Sequence, residues 1–221
     1  MNRTGKRANA EEIAQAVLER HGRTYAQETG IRLADKPAPL FQLLVLSLLL
    51  SARISADVAV AAGKELFAAG YRTPRAMRDA SWQDRIDALG RGHYRRYDER
   101  TSTMLEDTAN HVLDRWNGDL RRLHAAAGDD PRHLTSLLTE FPGIGPVGAD
   151  IFLREVQAVW PGISPYLDDR VKQGAQRIGL PEGRLTDVAS KSAHDAAALA
   201  AGLVRLSRDS RAANAIRQAA Q

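Results

Sequence analysis

The chain contains no cysteine. That absence excludes disulfides, thiolate zinc sites and cysteine-ligated iron-sulfur clusters together, so any metal must be held by oxygen or histidine. Long apolar runs are also missing. The strongest, Leu43 to Leu50 (LLVLSLLL), falls far short of the roughly 20 residues that a membrane span needs. It reads as a buried core helix, and no membrane partner is expected. No stretch alternates with the period of two that marks a half-buried strand, and no repeat of fixed period is evident. The expected class is all-α. The amino-terminal MNRTGKRANAEE carries basic residues with no apolar stretch behind them, so neither a secretory signal nor an anchor is visible and cytoplasmic residence is expected.

What is present suits a compact protein. With 221 residues, 43% hydrophobic and 26% charged, the chain is long enough for a real core and falls between one domain and two lobes. A net charge of +4 and a pI near 9.6 come from arginine more than lysine, and the planar guanidinium fork suits phosphate. That balance favours an anionic partner only weakly, because many proteins with such a charge bind nothing acidic.

Apolar spacing predicts helices over Ala10 to Gly22, Leu40 to Ala52, Ala56 to Phe67 and Tyr94 to Trp116, with a loop containing Pro37 and Pro39. Thr73-Pro74 and Ser81 with Asp84 resemble two further helix starts. Asp130-Pro131 opens a helix that runs to Phe141, and the pattern resumes after Pro146 through Val156. A Gly/Pro loop, Trp160 to Pro165, precedes helices over Asp168 to Ile178, Thr186 to Leu206 and Arg208 to Ala219. Two helical lobes with a groove between them are expected: residues 1–36 with 166–221, and residues 37–165.

The most informative segment is LLTEFPGIGPVGAD, residues 137–150, two helical patterns joined by a turn with Gly143 and Gly145. Glycines let the main chain turn tightly and approach a ligand, and the next helix begins at Pro146 with unpaired N–H groups and a partial positive charge. A DNA phosphate fits there. Ile144 is expected to point into the core and fix the turn. An ordinary corner between two helices is the alternative.

This segment closely resembles the helix-hairpin-helix of the endonuclease III-like DNA glycosylase superfamily. FPGIGPVGAD is followed in order by WPGISP and then Leu167-Asp168-Asp169-Arg170-Val171, as the family's hairpin is followed by a Gly/Pro loop and an aspartate. FQLLVLSLLLSAR, ending at Arg53, resembles the family's early core helix, and Leu89-Gly-Arg-Gly-His-Tyr94 resembles its intercalation loop. The likeness spans Leu40 to Leu180.

The resemblance implies base-excision repair on double-stranded DNA containing a damaged base, by a monomer. Asp168 corresponds to the catalytic aspartate, with Asp169 as the competing candidate. Without the resemblance, both read as helix N-terminal acids that complement the dipole. Gly143, Gly145, Val147 and Gly148 correspond to the DNA-gripping hairpin, and the main-chain carbonyls of Thr139, Phe141 and Ile144 to ligands of a monovalent cation, K+ or Na+. No other cofactor is implied. Val147 stands where bifunctional members carry a nucleophilic lysine, so hydrolysis without strand cleavage is expected; Lys172 is the nearest alternative amine in sequence. Leu48 stands near the position of the adenine-specific branch's glutamate, which disfavours excision of mispaired adenine. By the same resemblance Arg53 is a polar plug and His93 a loop wedge, with Tyr94 behind it, for the gap that a flipped base leaves. Their plainer readings are a helix-end arginine and a solvated loop histidine. Arg91, Arg95, Arg96 and Arg100 interleave with Tyr94 and Tyr97 as a phosphate-facing patch or a solvated helix face.

Overall fold

The computed structural model describes residues 10–219; residues 1–9 of the amino-terminal segment read above lie outside them. Among the described residues there are helices and no strand, as the missing period-two alternation implies. They form two compact units: one made from the amino-terminal segment to Thr24 together with Gln157 onward, the other from Tyr25–Val156. The sequence suggested divisions at 36/37 and 165/166. The break before Tyr25 has a visible cause, because the short helix α2 (Tyr25–Thr29) is tied into the second unit. Its first two amides, on Tyr25 and Ala26, donate to the buried carboxylate of Glu155, each at 2.9 Å.

In that unit α3 (Pro37–Ser51) is apolar on every side, and Leu40 to Leu49 is buried almost throughout, as LLVLSLLL predicts. Each leucine buried this way contributes about 1.5–3 kcal/mol. The helix begins at Pro37 rather than Leu40, since proline is at home in a first turn where its missing N–H has no partner to lose. Then α4 (Ala56–Ala68), α5 (Pro74–Asp79) and α6 (Trp82–Arg91) start at the side-chain caps Ser55, Thr73 and Ser81, the last a full capping box with Asp84. The long helix α7 spans Asp98–Trp116, not Tyr94 onward. Tyr94 to Tyr97 instead closes the end of α6, where His93 takes a left-handed φ of 63°. Its N–H donates to Gly90 and that of Tyr94 to Leu89, each at 3.0 Å, a Schellman closure. Next comes α8 (Arg121–Ala127), a helix too short and too basic to show in the apolar pattern, followed by α9 (Pro131–Leu138) and α10 (Pro146–Val156).

Arg85 locks α5, α6 and α7 together from a fully buried position. It donates to the carbonyls of Met77 (3.1 Å) and Ala80 (2.7 Å) and to Ser102 Oγ (3.2 Å), and it pairs with Glu106.

The other unit packs α1 (Ala10–His21) and α11 (Asp169–Ile178) around α13 (Ala193–Arg208), flanked by α12 (Glu182–Ala189) and α14 (Ser210–Ala219). A side chain at Gly174 would place its Cβ 2.0 Å from the Leu203 carbonyl oxygen, so only glycine lets α11 lie this close to α13. The continuous helix expected over Thr186 to Leu206 is two helices. It breaks at Ser190 to Ser192, where Ser192 caps α13 by accepting from the Asp195 amide.

Candidate functional site

The hairpin turn is built as its glycines demand. Thr139 ends α9, and Phe141 and Ile144 are both buried under the turn, with Ile144 in the core as expected. The Ile144 amide closes the turn on the Phe141 carbonyl at 3.0 Å, and Gly143 sits at φ +83°, a conformation glycine adopts without steric cost. Gly145 faces open space and Val147 is 56% exposed, while Gly148 is buried against Ile144 and Ser51. The first turn of α10 therefore presents a bare ridge: amides at the positive end of the helix dipole, and an apolar side chain where an amine stands in bifunctional relatives of the motif.

Helix α7 fixes this turn from behind. Thr108 Oγ1 donates to the Pro142 carbonyl at 3.1 Å, the His111 ring packs on Phe141 with centroids 4.6 Å apart, and Arg115 pairs with Glu140. His111 Nε2 is buried with no hydrogen-bond partner. Burial, reinforced by nearby Arg115, lowers its pKa below that of an ordinary histidine, opposed by Asp114. Sequence reading missed all three of these contacts because they join positions about thirty residues apart.

Beside the turn lies a recess of about 370 Å³, within the range of small-ligand sites. Arg53, Tyr94 and Gly143, drawn from three separate segments of sequence, all line it, as do Leu48, Tyr97 and Arg100. Its walls are largely apolar and aromatic, with two arginines and no carboxylate. Tyr94 is a wall rather than an exposed wedge: it is 1% exposed, and its hydroxyl lies 3.1 Å from Thr101 Oγ1. Burial raises its pKa, so the phenol keeps its proton.

The arginines do not form one patch. Arg91 is paired with Glu65 at 3.0 Å, and Arg96 lies 5.2 Å over the Tyr97 ring. Arg95 and His93 line a separate shallow depression with Asp87 and Asp98, and only Arg100 reaches the recess. His93 is exposed at the tip of its loop.

In the other unit Asp168 is the N-cap of α11. It is half-buried, and its Oδ1 accepts from the Val171 amide at 2.9 Å. Asp169 is the first helical residue and is exposed. The approach to Asp168 is held by Gln157, fully buried, whose Oε1 accepts from the Tyr166 amide at 2.8 Å and whose Nε2 donates to the Tyr166 carbonyl at 3.4 Å. Trp160 is buried beneath the same Gly/Pro loop. Lys172 lies 2.8 Å from Glu182, and that hydrogen-bonded ion pair raises its pKa. An ammonium held in this way is a poor nucleophile.

No family model and no curated protein matches the chain. Among solved structures, a trapped endonuclease III–DNA covalent intermediate in an estranged-adenine complex is similar over 89% of this chain and 84% of that one, at 17% identity and a TM-score of 0.48. A likeness at that level says nothing about chemistry. Among the described residues no helix is long and apolar enough to cross a membrane, and no three His, Asp or Glu side chains gather to hold a metal.

Proposed function

We propose that this protein is a monofunctional DNA glycosylase. It flips a damaged base out of duplex DNA and hydrolyses the bond between base and sugar, leaving an abasic site. Breaking that bond builds positive charge on the deoxyribose, and the Asp168 carboxylate supplies the opposing anion and presents water to C1′. Hairpin amides of the Gly145 to Gly148 turn hold a backbone phosphate. Arg53, Tyr94 and His93 meet the disrupted base pair.

What supports this reading is the convergence at the recess. Three residues, Arg53, Tyr94 and Gly143, that the motif resemblance assigns to DNA lie up to 90 positions apart in sequence and line one concavity. The absence of strand cleavage follows from Val147 at the lysine position and from Lys172 being committed to Glu182. The turn also offers the neutral carbonyls of Thr139, Phe141 and Ile144 to a monovalent cation; the Phe141 oxygen, already accepting one N–H, keeps a second lone pair for it. Such an ion would brace the turn and take no part in bond breaking.

One observation favours a second reading, a non-catalytic protein that binds DNA structure: Asp168 is already employed as a helix cap. A panel of duplexes, each with a single lesion, separates the two. Alkali-sensitive sites on at least one lesion, without a borohydride-trapped covalent adduct, are expected of a monofunctional glycosylase. Binding with no abasic product on any lesion would support the second reading.

A further inference from the structure

A second concavity, of about 470 Å³, opens at the other end of α3 from the recess, between the start of that helix and the end of α4. Pro39 and Gln42 form one wall and Phe67 the floor, and the cationic side chains of Arg32, Lys64 and Arg72 surround it with no carboxylate in the lining. Arg72 is oriented by donating Nε to the Phe67 carbonyl at 2.7 Å, which leaves the rest of its guanidinium fork to face a ligand. Nearby acids are engaged elsewhere: Glu65 with Arg91, while the charge of Asp35 acts on Arg121.

The helix above this groove carries the wrong charge for an empty site. Its N-cap is Lys36, which makes no side-chain cap bond, and its first turn holds no acid. At α4, α5 and α9 the N-caps are Ser, Thr and Asp side chains that accept from the first turn. A lysine at the positive end of a helix, above three further cations, is electrostatically unfavourable unless an anion joins them. The backbone is open as well, since Gly30, in the wall, has nothing within 4 Å of where a Cβ would stand.

We infer that this groove is a second anion site, taking a phosphate group of the DNA backbone. From Gln42 to Ser51, which lines the recess, α3 rises about 13 Å, so a phosphate here is distinct from any held at the recess or hairpin. The site requires only that the protein binds a phosphate-bearing ligand and stands apart from whether Asp168 cleaves anything.

The test is Arg32→Gln/Lys64→Gln in the full chain, against Arg211→Gln/Arg217→Gln, which removes the same charge from α14. With two cations taken from the phosphate, the log–log salt dependence of binding to an undamaged 30-base-pair duplex should become shallower by about 2, with no such change in the control. Pyrophosphate at low salt should raise the melting temperature of the wild type and not of the groove variant. A pyrophosphate shift with an unaltered duplex slope would keep the phosphate site but make its source a free phosphate compound. Equal slopes and equal pyrophosphate shifts in both variants would overturn the inference. Excision is read separately, so a failure here and a failure of the glycosylase reading are distinguishable.

Discussion

A methyl group on Gly143 would lie 2.6 Å from the sulfur of Met104 and 3.3 Å from its Cε. The hairpin turn and the recess wall thus share one contact, and the φ of +83° at Gly143 fixes which face of the turn meets it. Gly143→Ala should cost about 1–2 kcal/mol from the left-handed backbone alone, with Met104 displaced into the recess. Gly145→Ala, in open space, should be nearly neutral. Urea denaturation of the two variants checks the contrast; equal losses would mean that the turn does not depend on the left-handed glycine.

His93 also holds a left-handed backbone, at φ 63°, but with a side chain that such a conformation penalises. His93→Gly should leave stability within about 1 kcal/mol of wild type, because the Schellman closure survives, while excision from paired duplex falls through loss of the imidazole. If stability and excision fell in proportion, the residue would be structural.

His111 gives the turn a pH dependence. Its folded pKa is lowered from 6.5 by burial, so as pH falls below that value the unfolded chain takes up the proton first and stability declines. Above it both states are neutral and the effect vanishes. His111→Phe should flatten the stability profile between pH 6.5 and acid pH without altering its shape at about pH 8. His21, also lowered by burial, keeps its own share in both proteins. An unchanged acid slope in the variant would show that His111 is not what titrates.

Much of this architecture is legible in the sequence, for local reasons. LLVLSLLL could only be buried, Ser81 with Asp84 is a capping box, and the glycines at 143 and 145 require a turn. What was hidden depended on distant partners. No local pattern reveals that Glu155 caps α2 across some 130 residues or that Gln157 grips Tyr166, and α8 is too short to show a period. Arginine spacing suggested one patch near Tyr94, but Glu65 removes Arg91 from it, a pairing set by the packing of α4 against α6.

Arg85 is the largest such hidden dependence. It is fully buried among two carbonyls, a serine and Glu106, and it seats α7, the helix that carries Arg100, Thr101 and Met104 into the recess. Arg85→Met should destabilise the protein by about 3 kcal/mol, since its partners lose their donors together. Denaturant midpoints at unchanged slope check this; a loss below about 1 kcal/mol would mean that water replaces the guanidinium.

The catalytic assignment is tested most directly by single-turnover excision with Asp168→Asn on a lesion that the wild type processes. Asparagine caps a helix about as well as aspartate, so the bond from the Val171 amide and the melting temperature should both persist. Only the negative charge is lost. Excision slower by a factor of about 10² to 10⁴ in a protein of wild-type stability is the predicted result, and excision at the wild-type rate would contradict it.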